Sequence, residues 1–224
     1  LGDVYKRQIN KLNLNPELFK KIYTSGDTGT KYINSKVHGQ SYYHLGPEKD
    51  YDLLENINIE KTNDIETSEF VVCTGLYNDN DEHPEDYKNI FEDFLKQNLE
   101  IVCVNPDEIV YRGQGRIYCA GALGKYYEKL GGKVTYYGKP YPEIYDFVMT
   151  DLLSKDTTNK NEILAIGDSL KTDCLGAHNS DLDFLFIKNG IHKTEIANDD
   201  DLMRISKANL PETCKTLMYT EILN

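Results

Sequence analysis

The chain has 224 residues, with 37 acidic against 25 basic side chains and a net charge of −12. That length supports one large or two modest domains with a real core, and the charge argues against nucleic-acid and anionic-membrane surfaces, which need clustered Lys and Arg. No apolar run approaches the ~20 residues of a spanning helix. The five cysteines, Cys73, Cys103, Cys119, Cys174 and Cys214, form no CxxC pair, which reads as reduced thiols of a cytoplasmic protein.

In chain order, "LGDVYKRQ" at 1–8 has no periodicity that continues and is expected to be foreign sequence. Ile9 and Leu12 read as the tail of a helix, so the chain is expected to lack its genuine N-terminus. Asn15-Pro16-Glu17 marks a helix start, with Asn as cap and Pro at the first helical position. Strand-like runs follow at Lys21–Thr24, Ser41–Leu45, Phe70–Thr74, Ile101–Val104, Val134–Tyr137, Ile163–Ile166 and Phe184–Ile187. Helix-like stretches lie between them, notably Pro84–Gln97, Gly121–Leu130 and Glu143–Leu153. This alternation predicts α/β with a largely parallel sheet. Between about 30 and 133 the pattern closes on itself, so those residues are expected to form one body, with 9–29 and 134–224 forming another.

Chemistry concentrates at "ILAIGDSLKTDCLGAHNSDLDFLFIKNGIH", residues 163–192. Ile163, Leu164 and Ile166 read as a buried strand that stops at Gly167-Asp168. Thr172 is expected to cap a helix from Asp173 to about Asn179, ahead of the next strand. In parallel sheets ligands sit beyond the carboxyl ends of strands, where Asp168 falls, so the loop suits a cation or a phosphate. "YGKPYPE" supplies a second element, since Lys139 follows a strand and precedes a helix N-terminus that favours anions. "GKP" alone reads as a solvated loop lysine, and an Asp at a strand end also caps helices. Together, a lysine that neutralises phosphate oxygens and a carboxylate that holds Mg²⁺ are what phosphate chemistry requires.

The run from "GKPYPEIYDFV" to "ILAIGDSLKTDCLGA" resembles the third and fourth motifs of the haloacid dehalogenase superfamily, and subclass IIA, with its nitrophenylphosphatase-like and sugar-phosphate phosphatases, fits best. "YTSGDTG", "YHLGPEKD", "VCVNPDEIVYRGQGRIYCAGAL" and "YEKLGG" resemble that subclass in order and spacing, from about Ile9 to His192. The resemblance implies an α/β fold, a Rossmann-like core with a parallel sheet and an inserted α/β cap of the C2 type, the cap matching 30–133. It further implies a Mg²⁺-dependent phosphomonoester hydrolase that acts on a small phosphorylated metabolite through an aspartyl-phosphate, with a homodimer through the cap. Residue by residue, it makes Lys139 the motif lysine, Asp168 the Mg²⁺ ligand and Asp173 the acid that orients metal-bound water or the loop. Asn105 and Asp107 of "NPD" are assigned to substrate selection, and an Asx-Pro turn explains the same residues equally well.

One departure matters. The superfamily's first motif, a strand ending in DxDG, supplies the nucleophile, and only about 20 residues precede "YTSGD" here. Asp79-Asn80-Asp81 is a DxD, but four residues separate it from the strand before it and His83-Pro84 follows in place of a Gly turn. It reads as an acidic loop leading a helix, so the nucleophile is expected to lie outside this chain. The five histidines show no paired ligand spacing, His192 reads as a surface loop, and 198–207 reads as an acid-led amphipathic helix. Two other readings compete with a phosphatase: a non-catalytic Mg²⁺- or anion-binding α/β module, and a nucleotide-binding Rossmann domain, which lacks a GxGxxG.

Overall fold

The structure, a computed structural model, describes residues 15–112, 115–153, 159–214 and 218–222. The expectations for 1–8 and for the helix tail at Ile9 and Leu12 lie outside the described residues. The chain divides into two compact units, 1–138 and 139–224.

The first unit runs α1 (Ser25–Asn34), β1 (Ser41–Leu45), α2 (Tyr51–Leu54), β2 (Glu60–Thr62), β3 (Phe70–Cys73), α3 (Lys88–Lys96), β4 (Glu100–Cys103), β5 (Ile109–Arg112), β6 (Gly115–Tyr118), α4 (Ala120–Lys129) and β7 (Val134–Tyr136). Five strands form one sheet in the order β2-β1-β3-β4-β7, parallel throughout, with Tyr43 opposite Val71, Val71 opposite Ile101 and Ile101 opposite Val134. The strands β5 and β6 make a separate antiparallel pair. Parallel strands covered on both faces read as continuous apolar runs rather than alternating ones, and β3, Phe70-Val71-Val72-Cys73, is buried at every position. One face packs Phe70, Val72, Val102 and Val104 against Ile33, Leu54 and Tyr137. Elsewhere in the unit Phe91 lies 6.0 Å from Phe94 and 5.2 Å from Tyr127, ring centre to ring centre. Glu100 is tied by several partners: burial alone would raise its carboxyl, but bonds from His38, Thr135 and Lys133 bring it down to about 2.

Two expectations about this unit are corrected. Residues 21–24 are not a strand. Thr24 instead caps α1, its hydroxyl accepting the Asp27 N–H at 3.0 Å while Asp27 accepts the Thr24 N–H at 3.2 Å. That reciprocal capping box claims the β-branched residue that suggested a strand. The strand at 134–136, expected in the same body as Asp168, pairs with β4. Its alternating pattern carried no mark of which sheet it would join.

The second unit runs α5 (Pro142–Leu153), β8 (Leu164–Gly167), α6 (Leu175–Asn179), β9 (Asp183–Ile187), α7 (Asp199–Asn209) and β10 (Met218–Thr220). Its sheet is parallel, in the order β10-β9-β8. The core comprises Leu170, Cys174, Ala177, Phe184, Phe186, Leu202 and Ile205, with Tyr145 and Met149 of α5 packed against it. Asn198 caps α7 by accepting the Asp201 N–H at 3.0 Å. The strand expected to be buried is open on one side: Leu164 and Ile166 are 46% and 48% exposed. The strand β8 is the edge of its sheet, and Ala165, which points the other way, carries its contact with the core. Both units are α/β with parallel sheets, the expected fold class. No described helix is long and apolar enough to cross a membrane.

Candidate active site

Lys139, Asp168 and Asp173 all belong to the second unit, and the local fold draws them together. The strand β8 ends at Gly167, and a single π turn, Leu170–Cys174, leads into α6. Ser169 caps this turn, accepting the Thr172 N–H at 3.3 Å, so the cap expected at Thr172 lies three residues earlier. The extra residue of a π turn re-aims side chains and often marks a functional position. Here it sets Asp173 back beneath the strand end. One oxygen of Asp173, Oδ2, accepts the backbone N–H groups of Asp168 and Ser169, both at 3.1 Å. The other, Oδ1, accepts from Lys139 Nζ at 2.5 Å. Gly167 makes this possible, since a Cβ there would stand 2.4 Å from the Asp173 side chain.

Asp168 is held from a different side. Its Oδ2 accepts the Ile191 N–H at 2.9 Å, and a Cβ on Gly190 would lie 2.2 Å from it. Its Oδ1 has no hydrogen-bond partner among the described residues. Asp168 therefore presents one oriented carboxylate oxygen, while Asp173 is spent on the loop and the lysine. Lys139 keeps about half of its side chain exposed, 52% against 10% for Asp173, so the ammonium meets solvent while its partner is buried. Burial and the neighbouring Asp173 push the Tyr145 phenol up. That hydroxyl donates to the Asp173 carbonyl at 3.4 Å.

The residue set differs from the sequence expectation in three ways. Lys139 and Asp168 do not end neighbouring strands of one sheet: β7 and β8 belong to different sheets. They are joined instead through Asp173. His192, expected on the surface, is tucked in with 12% of its side chain exposed, its Nε2 accepting the Leu170 N–H at 3.5 Å. The loop Gly190-Ile191, which holds Asp168, carried one signal in the sequence, a glycine after a strand. Asn105 and Asp107 lie in the first unit after β4; Asn105 is half-buried and Asp107 exposed. Their backbone is structural in part, the Asn105 carbonyl accepting from Cys103 Sγ at 3.2 Å and the Asp107 carbonyl accepting the Gly121 N–H at 3.1 Å. The acids of 79–81 already have partners, Asp79 in Lys49 of the segment after β1 at 2.8 Å and Asp81 in Asn78 of its own loop at 2.8 Å.

Mg²⁺ takes oxygen ligands in octahedral geometry, keeps several waters and needs only one or two carboxylates. Asp168 fits that demand with one free oxygen. Among the described residues no group of three or more His, Cys, Asp or Glu side chains is placed to hold a metal, so a closed protein cage is not what these residues offer.

Residues 136–208 match the Hydrolase_like family, described as HAD-hydrolase-like. The chain is 28% identical over 99 residues to the ribonucleotide monophosphatase NagD of Escherichia coli K12, which is 44% of this chain and 37% of that protein. The matched stretch thus spans little more than a third of that curated relative. The 4-nitrophenylphosphatase of Thermotoga maritima, 19% identical with a TM-score of 0.71 over 97% of this chain and 76% of its own, shares the fold. A hydrolase of the haloacid dehalogenase-like family from Brucella suis 1330 is 34% identical, covers 82% of this chain and 70% of its own, and superposes with a TM-score of 0.72. With that degree of identity over that coverage, and with the lysine and the two acids of its third and fourth motifs assembled at one place, the chain belongs to the haloacid dehalogenase superfamily, subclass IIA.

Proposed function

We propose that Lys139, Asp168 and Asp173 are the phosphate- and metal-binding part of a phosphomonoester hydrolase acting on a small phosphorylated metabolite in the cytoplasm. The observation that carries this reading is the division of labour between the two acids. Asp173 accepts three hydrogen bonds and fixes both the loop and the lysine, and Asp168 is left with an oriented free oxygen beside them.

The second unit serves as the core in this reading and the first as the cap, with Asn105 and Asp107 assigned to substrate selection. Lys139 contributes positive charge to a phosphoryl group whose negative charge must be offset before an anionic nucleophile attacks. Its pairing with Asp173 holds the flexible stem in one direction, which reduces the ordering required when substrate arrives. Asp168 would hold Mg²⁺, which supplies Lewis-acid stabilisation of phosphoryl oxygens when bound. The N–H of Ile191 keeps the Asp168 carboxylate from rotating away. The sequence contains no Asp-x-Asp-Gly run, and the reading assigns none of residues 1–224 as the carboxylate that would form an aspartyl-phosphate.

The nitrophenylphosphatase and ribonucleotide monophosphatase names of similar proteins support the reaction class and leave the substrate open. Residues 1–224 are expected to release no p-nitrophenolate from p-nitrophenyl phosphate with Mg²⁺, and the same chain extended by its upstream coding sequence is expected to release it. Activity in residues 1–224 that disappears in Asp79→Asn or Asp81→Asn would move the nucleophile to the 79–81 loop. An extended chain inert on a panel of phosphomonoesters would favour a binding module instead.

A further inference from the structure

His192 stands where two loops of the second unit meet. The π turn Leu170–Cys174 begins two residues after Asp168, and the first N–H groups of a helical turn have no carbonyl of their own turn to bond. Side chains take the donors around it. Asp173 Oδ2 accepts from Asp168 and Ser169, and Ser169 Oγ accepts from Thr172. The Leu170 N–H turns to the other loop, where His192 Nε2 accepts it at 3.5 Å. Leu170 is 0% exposed, so this donor would be buried and unmet without the imidazole, which is costly.

That bond fixes the tautomer. A ring nitrogen that accepts an N–H carries a lone pair, so the ring proton sits on the other nitrogen. Nδ1 lies 3.3 Å from Glu195 Oε2, which accepts it. Glu195 is held in turn, its N–H bonded to the His192 carbonyl at 2.9 Å, and Ile196 beyond it belongs to the second unit's core. The His192 ring centre lies 6.1 Å from that of Phe186, another residue of this core.

One residue earlier, the Ile191 N–H donates to Asp168 Oδ2 at 2.9 Å. Residues 168–170 and 190–192 are thus tied twice, in opposite senses: amide 191 bonds carboxylate 168, and amide 170 bonds imidazole 192. One bond alone would leave the loops free to pivot about it. We propose, on the reading of Asp168 as the metal ligand, that His192 is a positioning residue for the metal site. Its Nε2 lone pair keeps the 190–192 loop in register with 168–170, and so keeps the Ile191 N–H where it orients the Asp168 carboxylate.

The test uses Mn²⁺ and the ¹⁵N-labelled 224-residue chain. Long-range ¹H–¹⁵N spectra of the metal-free chain should show the His192 proton on Nδ1. A proton on Nε2 would overturn the proposal, since that nitrogen could then accept nothing. His192→Phe keeps an aromatic ring beside Phe186 and deletes the lone pair. It should weaken Mn²⁺ at the Asp168 loop by about tenfold, the lower end of what losing an outer partner of a metal ligand costs, and it should speed exchange of the Leu170 amide. His192→Gln, whose side-chain oxygen can accept the Leu170 N–H, should recover most of that affinity. Urea unfolding reads the stability of both variants separately. Wild-type Mn²⁺ affinity in His192→Phe, whatever its stability, or an equal loss in His192→Gln, would overturn the proposal alone. A wild-type chain in which Mn²⁺ leaves 167–170 unbroadened, or broadens them equally in Asp168→Asn, would overturn the assignment of Asp168 and the proposal with it.

Discussion

Replacing Phe91 by Ala should lower the unfolding free energy of the first unit by about 3–5 kcal/mol, the usual range for truncating a fully buried phenyl ring. Phe91 is 0% exposed and stands in the middle of an aromatic cluster. Its ring centre lies 6.0 Å from Tyr87, Phe94 and Tyr126 and 5.2 Å from Tyr127. Removing the ring deletes contacts with four neighbours and leaves a void they cannot fill without leaving their own packing. The Tyr127 hydroxyl is anchored to the Leu99 carbonyl at 2.7 Å, and the Tyr87 hydroxyl donates to Glu82 at 2.6 Å, so neither ring is free to slide inward. Phe91→Leu, which keeps most of the volume, should cost less than half as much. Urea unfolding measures both, and a loss below about 1 kcal/mol for the alanine variant would contradict this account of the core.

Asp173→Ala should destabilise the second unit by about 2–4 kcal/mol, against less than about 1 kcal/mol for Lys139→Ala. The two residues share one ion pair, so a simple pair energy would predict equal losses. Their surroundings differ. Truncating Asp173, whose side chain is 10% exposed, strands the N–H groups of Asp168 and Ser169 and empties a buried site. Truncating Lys139 removes a half-exposed ammonium and leaves Asp173 with both of its backbone donors. Asp173→Asn should fall between, because its carbonyl oxygen keeps an acceptor for one or both amides. Amide hydrogen exchange at Asp168 and Ser169 reads the local part directly: exchange should accelerate in Asp173→Ala and stay near the wild-type rate in Lys139→Ala. Equal losses for the two alanine variants would mean that the ion pair, rather than the loop clamp, dominates.

Much of the fold was legible because its signals are local and repeated. The runs at 70–73 and 101–103 read as strands from continuous apolar residues, and the helix over 88–96 from the spacing of Ile90, Phe91, Phe94 and Leu95. What stayed hidden was of two kinds. Thr24 looks like the end of a strand until Asp27 is seen to complete a capping box, a competition that side-chain hydrogen bonds settle. The sheet to which 134–136 belongs was not legible at all, since strand pairing depends on contacts distant in sequence. Leu164 and Ile166 have the composition of a buried strand, yet their exposure depends on which elements cover that face.

The site divides in the same way. Lys139, Asp168 and Asp173 were named from a motif order, and all three lie together in the second unit. Their connection was misjudged: the sequence suggested two adjacent strand ends, whereas Asp173 forms the bridge. The Gly190-Ile191 clamp and the buried ring of His192 left only a weak trace, because a backbone N–H that orients a carboxylate has no side-chain signature. Gly167 is more informative in retrospect, since the carboxylate behind it leaves no room for a Cβ.

The central claim is that Asp168 presents a metal-binding oxygen while Asp173 only supports it. The direct measurement is Mn²⁺ titration of the ¹⁵N-labelled chain, following paramagnetic broadening of individual amides. Broadening should begin at Gly167–Leu170 and Gly190–His192, disappear in Asp168→Asn, and persist undiminished in Lys139→Ala, whose loop clamp is intact and which loses a positive charge beside the site. Broadening centred on the acids Asp199, Asp200 and Asp201 at the start of α7, or around Asp168 but undiminished by Asp168→Asn, would contradict it.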